Sequence, residues 1–370
     1  MKIVYGVFGH GYGHSARSVE LIKHFEKDHD VMVMASNDAH YFLENLGINC
    51  LEKLACFRWC YSNGKQRSIL KTIWEYWGIF RDLLLKKNQW YQVRSTIQTF
   101  DPDIIISDGE PWVNHIGRDL GIPRINVDHF GMLCWCSPNL SFLDSFRSRF
   151  DVFFYRWLIQ SPDRKLISSF FGAPVTNDST IIVPPIIGLD VYHQSPSDGE
   201  HVLIYFNNFD QIWMPHMKEM LFKTNRTFIV YGSNTVGNEY NVEYKPFSRD
   251  AFLCDLASCD AVISNAGNQL VGEALHYKKP MLVIPEGCVE QRMNGEELDS
   301  LGAGFSVSLN HFTVDALHCF LDQVPQLKNR DCFISRNGFD MAIYMVENWM
   351  QELVENYQRT SSGVESLVSS

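Results

Sequence analysis

Short apolar runs alternate with amphipathic segments along most of the chain. Runs of about four to eight apolar residues between turn signals are typical of buried strands, and apolar residues at every third or fourth position indicate helices. The runs predict strands at 2–8, 30–35, 103–107, 124–127 and 180–183 in the first half, and at 201–206, 227–231, 261–264 and 281–284 in the second. Because strands and helices alternate, we expect an α/β fold with parallel sheets.

Length and polar segments divide this pattern into two domains. A chain of 370 residues exceeds one typical core, and residues 188–200 are polar with Pro and Gly, as in a linker. We therefore expect an N-terminal domain at 1–190 and a C-terminal domain at 200–338. Helical spacing after 339 predicts a helix at 339–360, a candidate to return to the first domain. Residues 361–370 lack core-forming side chains, which predicts a disordered tail.

The stretch 262–304 combines buried strands with a turn that suits an anion. Its first strand is followed by the small residues Asn265, Ala266 and Gly267, and then by a helix. Backbone N–H groups and the positive end of a helix dipole meet at such a turn, which suits a diphosphate. Glu273 lies about two turns further along the helix, where its carboxylate can accept hydrogen bonds from hydroxyl groups. A diphosphate beside a diol describes a nucleotide.

This stretch resembles the donor-binding half of inverting GT-B glycosyltransferases, especially the group containing the N-acetylglucosaminyltransferase that completes the lipid-linked peptidoglycan precursor. The shared pattern is a turn ending in Ala-Gly, a glutamate in the next helix, Lys-Pro before a strand, an acidic residue or Gln followed by Gln, Asn-Ala-x-x-Leu and Gly-Ala-Gly. The matching residues are Asn265-Ala266-Gly267, Glu273, Lys279-Pro280, Glu290-Gln291, Asn294 to Leu298 and Gly302-Ala303-Gly304. One position departs: Leu270 stands where many relatives carry Ser or Thr against a phosphate, which shifts phosphate binding toward backbone N–H groups.

The resemblance implies two Rossmann-like domains that face each other across a cleft, with the donor bound by the second domain. It implies the following donor contacts: Asn265, Ala266 and Gly267 with the diphosphate, Glu273 with the ribose, Glu290 and Gln291 with the sugar hydroxyls, and Phe247 beside the nucleotide base. Relatives of this kind need no bound metal or cofactor to activate the donor.

The first predicted strand ends in a loop rich in glycine and histidine. The loop reads GHGYGH at 9–14 and does not fit the dinucleotide pattern G-x-G-x-x-G, because His14 stands where the third glycine is needed. In GT-B relatives a histidine here faces the acceptor, so the resemblance implies that His14 is the catalytic base and that His10, Gly11 and Gly13 lie beside the acceptor. A histidine near a helix N-terminus is also biased toward the neutral form that can accept a proton. A capping or structural role is the alternative.

The strand at 103–107 carries two carboxylates at its carboxyl end. The segment Ile106 to Pro111 reads I-S-D-G-E-P and resembles the I-S-D-x-E-P segment of a mostly uncharacterised bacterial and archaeal branch of the family. Either carboxylate could bind the acceptor or orient His14, and we assign Asp108 to the catalytic group and Glu110 to the acceptor site. The alternative is that both cap the next helix, where acidic residues are common.

A basic and aromatic insertion lies between the second predicted strand and 103–107. Residues 65–97 hold seven Lys and Arg against two acidic residues, with Trp74, Trp77 and Trp90 among them. A second segment at 142–157 adds further Phe and Arg side chains. Aromatic residues at helical spacing usually belong to the hydrophobic core, and the basic residues between them usually form a solvated face. Its local positive charge within an acidic protein makes peripheral contact with a membrane, or with a lipid-linked acceptor, the alternative.

The overall composition argues against several classes of protein. A formal net charge of −11 does not suit a nucleic-acid partner, since binding phosphates needs a basic face. The ten cysteines lack the paired C-x-x-C spacing of a zinc site. A metal site of His10, His14 and His129 is conceivable, but the resemblance gives it no role. No apolar run reaches about eighteen residues and the start reads as a strand, so we expect a cytoplasmic protein, peripheral at the inner face of the membrane if the insertion binds lipid.

We therefore expect a glycosyltransferase that moves a sugar from a nucleoside diphosphate sugar, in our prediction a UDP-sugar, to an acceptor hydroxyl with inversion and without metal. The acceptor is unidentified, and a lipid-linked glycan is one candidate. Two other classes stay open: a nucleotide-sugar 2-epimerase of the same architecture, and a non-catalytic nucleotide-sugar-binding protein. An epimerase would act on a UDP-sugar alone, whereas a binding protein would hold the donor without turnover.

Overall fold

The chain folds into two compact units. The computed structural model describes residues 1–49, 51–62, 67–207, 209, 213, 215–330, 332 and 337–368, without the side chains of 358 and 360–368. The first unit consists of Met1–Cys60, Ile69–Ile186 and Gly338–Ser370, and the second of Tyr61–Ser68 and Ile187–Asn337. Each unit is built around a sheet in which parallel pairing dominates.

The sheet of the first unit is parallel throughout its described strands. These are β1 (Lys2–Val7), β2 (Asp30–Ser36), β3 (Leu51–Leu54), β4 (Ile104–Asp108), β5 (Arg124–Asp128), β6 (Arg164–Ser168) and β7 (Thr180–Val183), in the spatial order β3-β2-β1-β4-β5-β6-β7. Strands β4 and β5 are buried along their whole length, as expected when helices cover both faces of a parallel sheet. The order reverses between β1 and β4, so a crevice opens at the carboxyl ends of these two strands.

Helices cover both faces of this sheet. They are α1 (Gly13–Phe25), α2 (Asn37–Asn45), α3 (Ile69–Glu75), α4 (Trp77–Leu85), α5 (Gln89–Phe100), α6 (Pro111–Leu120), α7 (Gly131–Trp135) and α8 (Phe142–Ile159). Successive residues of a strand point to opposite faces. Ile3 and Tyr5 therefore join the core formed with α1 and α2, whereas Val4 joins the core formed with α5 and α6.

The second unit repeats the α/β plan with a small antiparallel edge. Its strands are β8 (His201–Tyr205), β9 (Thr227–Tyr231), β10 (Gly237–Glu239), β11 (Val242–Tyr244), β12 (Ala261–Ser264), β13 (Met281–Val283) and β14 (Gly304–Ser306), in the order β10-β11-β9-β8-β12-β13-β14. Its described helices are α9 (Leu189–Tyr192), α10 (Pro215–Phe222), α11 (Arg249–Ser258), α12 (Asn268–His276), α13 (Val289–Leu301) and α14 (Val314–Lys328). Only β10 and β11 pair antiparallel among these strands. The order reverses between β8 and β12, which precede the candidate donor residues.

The last helix, α15 (Phe339–Val368), belongs to the first unit. Its residues Ala342, Val346 and Met350 are buried in the core that also contains α1 and α2. The helix continues to Val368 and residues 369–370 lie outside the described residues; the predicted disordered tail at 361–370 stays a prediction.

The predicted linker differs from the structure. Residue Val191 of α9 is fully buried, and the Tyr277 hydroxyl donates a hydrogen bond of 2.7 Å to its carbonyl oxygen. The second unit accordingly starts at Ile187 rather than at 200. The polar composition of 188–200 reflects a segment that lies on the surface of the second unit rather than a free connection.

Within the insertion at 65–97, the described residues include three short helices, α3, α4 and α5. Residue Tyr76 separates α3 from α4, and this break changes the phase of the apolar spacing. As a result Trp90 is only 2% exposed and belongs to the core, whereas Trp74 is 83% exposed and Trp77 is 55% exposed. For Trp90 the structure agrees with the alternative in which the aromatic residues of the insertion belong to the core. Lys65 lies outside the described residues.

Candidate active site

The loop after β1 is held tightly against the end of β2. A Cβ atom on Gly9 would lie 1.7 Å from the carbonyl oxygen of Ser36, so only glycine fits at this position. The Gly11 amide donates to a carboxylate oxygen of Asp38 at 3.3 Å, with a φ of +73° at Gly11. This loop leads directly into α1 and places His14 in its first turn. The predicted acceptor residues on this loop, which are all partly buried, are His10, Gly11 and Gly13.

The side chain of His14 contacts the carboxylate at the end of β4. Because β1 and β4 pair in parallel, with Val7 opposite Asp108, the loop after one strand lies beside the last residue of the other. The Nδ1 atom of His14 lies 2.6 Å from Oδ1 of Asp108. Nη2 of Arg17 also lies 2.9 Å from this Nδ1 atom. An ionised carboxylate only accepts hydrogen bonds, so the tautomer that pairs with Asp108 has its proton on Nδ1 and a lone pair on Nε2. The His14 side chain is 26% exposed, and the edge of its ring packs against Phe8.

Two residues of α1 fix the Asp108 carboxylate. The Arg17 side chain donates through Nε to Oδ2 and through Nη2 to Oδ1, both at 2.6 Å, and the Ser18 hydroxyl donates to Oδ2 at 3.0 Å. Burial alone would raise the pKa of Asp108, but the positive charge of Arg17 and the hydrogen bonds with His14 and Arg17 outweigh burial and lower it. Asp108 is therefore an ionised, fully buried carboxylate held from three sides.

A second carboxylate nearby has the opposite electrostatic character. Asp128 ends β5, accepts a hydrogen bond from the Gly131 amide at 3.1 Å, and receives the Tyr155 hydroxyl. Burial, together with the negative charge of Asp108, raises the pKa of Asp128 to about 7. Neighbouring carboxylates with separated pKa values are a recurrent feature of acid–base sites.

Glu110 is the N-cap of α6 and is fully buried. Its side chain accepts a hydrogen bond of 2.9 Å from the Val113 amide, which is the capping role given above as the alternative. Burial raises the pKa of Glu110 to about 8, so its carboxyl is largely protonated at neutral pH. A contact between Glu110 and an acceptor stays a prediction. His129 is also directed elsewhere, since its Nδ1 lies 3.1 Å from the Ser168 carbonyl oxygen. Among the described residues, no three His, Cys, Asp or Glu side chains are grouped closely enough to hold a metal ion.

The turn between β12 and α12 is shaped by two side-chain contacts. Ala266 has a φ of +58°, a left-handed conformation that costs an L-residue roughly 1–2 kcal/mol. The Asn294 amide donates to the Ala266 carbonyl at 2.9 Å, and the Asn265 amide donates to Glu286 at 2.5 Å. The turn is therefore held in a conformation that it would not adopt in isolation.

This turn leaves the start of α12 open. Gly267 is the N-cap residue, and no side chain caps the helix there. A Cβ atom on Gly267 would meet no atom within 4 Å. The first N–H groups of a helix have no partner within the helix, and together with the helix dipole they attract an anion.

Glu273 lies in the middle of α12 and is 2% exposed. Its Oε1 atom accepts from Arg249 at 3.0 Å and from Gln269 at 3.2 Å. Arg249 also donates to Asp190 at 2.9 Å. The carboxylate that the sequence assigned to the ribose is thus held by a cation within the second unit.

Gln291 and Glu290 begin α13 on the far side of the same turn. The Gln291 side-chain oxygen accepts from the Glu286 amide at 2.7 Å, while Glu290 is partly exposed in the first turn of the helix. The Tyr61 hydroxyl donates to the Glu286 carboxylate at 2.6 Å. Tyr61 precedes most of the second unit in the sequence but belongs to that unit, and it lies beside the residues that precede α13. Phe247 is partly buried and packs near Phe252, with ring centroids 5.8 Å apart.

Sequence reasoning missed several residues that shape these sites. Arg17 follows His14 by three positions on α1, and this spacing puts both side chains on one face of the helix. Sequence reasoning could therefore have recognised Arg17 as a neighbour of His14. Tyr61 and Arg249 carry no comparable signal, because Tyr61 meets Glu286 over 225 positions and Arg249 meets Glu273 over 24.

The helices α3, α4 and α8 present aromatic side chains to solvent. On α8 the exposed residues recur at helical spacing and form one stripe, here called the α8 stripe: Phe142, Phe146, Phe150 and Phe153, which are 87%, 66%, 48% and 70% exposed. Phe154 and Leu158, on the other face of α8, are buried in a core with Phe80. No helix in the described part of the chain is both long and apolar enough to cross a membrane.

Comparison with known proteins identifies the family. Residues 1–325 match glycosyl transferase family 1. No curated protein matches the chain. Among solved structures, the chain resembles the glycotransferase of kitacinnamycin with a TM-score of 0.66 and 16% identity, covering 94% of this chain and 98% of the other.

Two further structures show the same likeness of fold. The calicheamicin glycosyltransferase CalG4 has a TM-score of 0.63 and 13% identity, covering 95% of this chain and 98% of that one. MurG of Acinetobacter baumannii has a TM-score of 0.56 and 12% identity, covering 94% of this chain and 100% of that one. The predicted α/β architecture of GT-B type is confirmed by these likenesses. The chain belongs to glycosyl transferase family 1 and is a glycosyltransferase with the GT-B fold.

Proposed function

We propose that the protein transfers a sugar from a UDP-sugar to an acceptor hydroxyl with inversion and without a metal ion. The observation that carries this proposal is the contact of 2.6 Å between His14 Nδ1 and Asp108 Oδ1. It leaves Nε2 as the basic nitrogen, and Nε2 has no hydrogen-bond partner among the described residues. His14 is therefore suited to remove the proton of an acceptor hydroxyl.

The proposed reaction is a single displacement. The acceptor oxygen forms a bond to the anomeric carbon as its proton moves to His14 Nε2, and the bond from that carbon to the diphosphate breaks with its electron pair staying on the nucleotide. Attack opposite the leaving group inverts the configuration. Asp108 stabilises the imidazolium that forms, and Arg17 keeps Asp108 ionised and oriented.

The turn before α12 is the proposed site of the leaving diphosphate. Backbone N–H groups at the open start of α12 would stabilise its developing charge in place of a metal ion. Asn265, Ala266 and Gly267 would form this site, and Glu273 would bind the ribose. Glu290 and Gln291 would meet the sugar hydroxyls, and the backbone around Phe247 would meet the base.

For the acceptor, we propose a lipid-linked molecule reached by peripheral contact with the inner face of the membrane in the cytoplasm. The α8 stripe supports this, because four exposed phenylalanines on one helix face are costly to leave in water. The basic residues support it less than the sequence suggested. Arg81 is paired with Asp82, and Lys86 and Arg94 are both paired with Asp119. We therefore propose a contact made mainly by aromatic side chains.

A panel of nucleotide sugars tests the reaction. Donors that raise the melting temperature are incubated first alone and then with lipid and soluble acceptors. Transfer of sugar to an acceptor, with the product anomer opposite to that of the donor, supports the proposal. Conversion of a UDP-sugar without acceptor would indicate an epimerase. Binding without any turnover would indicate a non-catalytic nucleotide-sugar-binding protein.

A further inference from the structure

We infer that Glu273 binds one ribose hydroxyl rather than two, and that Arg249 and Gln269 determine this specificity. The inference rests on the proposed donor site and refines it. A carboxylate that grips a vicinal diol normally offers one oxygen to each hydroxyl. Here one of the two oxygens is already occupied by the protein itself.

The occupied oxygen is Oε1. It accepts from Nη2 of Arg249 at 3.0 Å and from Nε2 of Gln269 at 3.2 Å, which fills both of its lone-pair directions. Oε2 has no hydrogen-bond partner among the described residues. A carboxylate that is 2% exposed and has one unpaired oxygen can receive one ligand hydroxyl without displacing a protein group.

The clamp on Oε1 is fixed rather than incidental. Arg249 donates through Nε to Asp190 at 2.9 Å, so a second carboxylate sets the direction of the guanidinium. The Arg249 side chain is 13% exposed, and Gln269 lies one helical turn before Glu273 on α12. Burial alone would lower the pKa of Arg249, but the charges of Glu273 and Asp190 raise it, so the cation persists at every accessible pH.

A ribose hydroxyl cannot easily displace this arrangement. Moving Arg249 away would leave Glu273, which is 2% exposed, without its cation, and breaking a buried ion pair by removing one partner is strongly unfavourable. The donor pocket should therefore tolerate a nucleotide that lacks one ribose hydroxyl. It should reject only the analogue that lacks the hydroxyl bound by Oε2.

The test compares UDP, 2′-deoxy-UDP and 3′-deoxy-UDP by calorimetry on the unmodified protein. Loss of a hydrogen bond to a charged group weakens binding by about tenfold or more. We expect such a loss for one deoxy analogue only, and affinity within about threefold of UDP for the other. Equal losses for both analogues, or no loss for either, with normal UDP binding would overturn this inference and leave the donor site standing. Absence of UDP binding would overturn both.

Two variants extend the test. Arg249→Met frees Oε1, so the analogue that was tolerated should now bind at least threefold more weakly than UDP. Asp190→Asn is the matched control, since the asparagine oxygen can still accept from Nε of Arg249 and the contact of Arg249 with Glu273 is retained; the preference should not change. A preference that is unchanged in Arg249→Met, shown to be folded by circular dichroism, would contradict the role of the clamp. The comparison on the unmodified protein still decides the matter if that variant does not fold.

Discussion

His14 Nδ1 lies 2.6 Å from Asp108 Oδ1, a contact that joins residues 94 positions apart. It links the first turn of α1 to the last residue of β4, and it exists because β1 and β4 are neighbours where the strand order reverses. The pair has the arrangement of a base and the carboxylate that orients it.

Replacing His14 tests the base directly. We expect His14→Ala to lower the turnover number on the order of a hundredfold or more, because no other side chain would take the acceptor proton. Donor affinity should stay near normal, which steady-state kinetics and calorimetry would show together. Full turnover with the natural acceptor would exclude His14 as the base.

Arg17 is expected to matter for folding as well as for catalysis. In Arg17→Met the buried Asp108 loses its main cation, and leaving a buried charge unpaired costs about 3–5 kcal/mol of unfolding free energy. Urea unfolding measures this loss. Adding Asp108→Asn should recover part of it, and the exposed Lys23→Met on the same helix should change stability by less than about 0.5 kcal/mol. If Arg17→Met alone is as stable as the parent protein, the electrostatic account is wrong.

The contribution of buried Glu110 to stability is expected to fall as pH rises. Burial raises the pKa of Glu110 to about 8, above its value in the unfolded chain, so the folded state binds this proton more tightly. The stabilisation is complete at pH below about 4.5 and is lost progressively up to about pH 8. We expect Glu110→Gln, measured by urea unfolding from pH 5 to 9, to flatten this decline. Glu219→Gln, an exposed control in the second unit, should follow the parent; an equally steep decline in Glu110→Gln would refute the assignment.

Glu273 is expected to account for much of the nucleotide affinity. Glu273→Ala removes the acceptor for a ribose hydroxyl and should weaken UDP binding by about 1.5–3 kcal/mol. Calorimetry with the exposed Glu219→Ala as the control measures this difference. Unchanged UDP affinity in a folded variant would show that the nucleotide does not lie against α12.

The α8 stripe predicts vesicle binding that depends on aromatic residues more than on salt. Burying a phenylalanine side chain is worth about 1.5–3 kcal/mol, so the double substitution Phe146→Ser and Phe150→Ser should lower co-sedimentation with lipid vesicles by at least tenfold. Tyr344→Ser removes an aromatic residue of α15 that is 66% exposed, and it should have no effect. A parent protein that binds neither anionic nor neutral vesicles would remove the membrane proposal.

The sequence predicted those parts of the structure that depend on residues close together in the chain. Strands β4 and β12 were recognised because strands buried on both faces read as continuous apolar runs. Strand β3 was missed because its sequence LEKL has two exposed charged residues and lies at the sheet edge. The turn Asn265–Gly267 was recognised because its chemistry is local. The clamp of Arg249 on Glu273 depends on tertiary packing, and no periodicity reports it.

The insertion shows why an apolar stripe is hard to interpret from sequence alone. Trp74 follows Ile73 and Trp90 follows Gln89, yet Trp74 is 83% exposed and Trp90 is 2% exposed. The helix break at Tyr76 and the turn before α5 decide which of the two faces the core. The count of charges within 65–97 also overstated the positive charge that is available to a partner. Asp119 lies outside the insertion and pairs with both Lys86 and Arg94.

The contact between Tyr61 and Glu286 has a consequence for how the protein is made. These residues are separated by 225 positions. At a synthesis rate of about 5–20 residues per second, Tyr61 leaves the ribosome roughly ten to fifty seconds before its partner exists. Throughout that interval the contact of Tyr61 with Glu286 cannot form. The proposed donor surface is therefore among the last parts of the nascent chain to be completed, and under this proposal the protein can bind a nucleotide only after most of the chain has been translated.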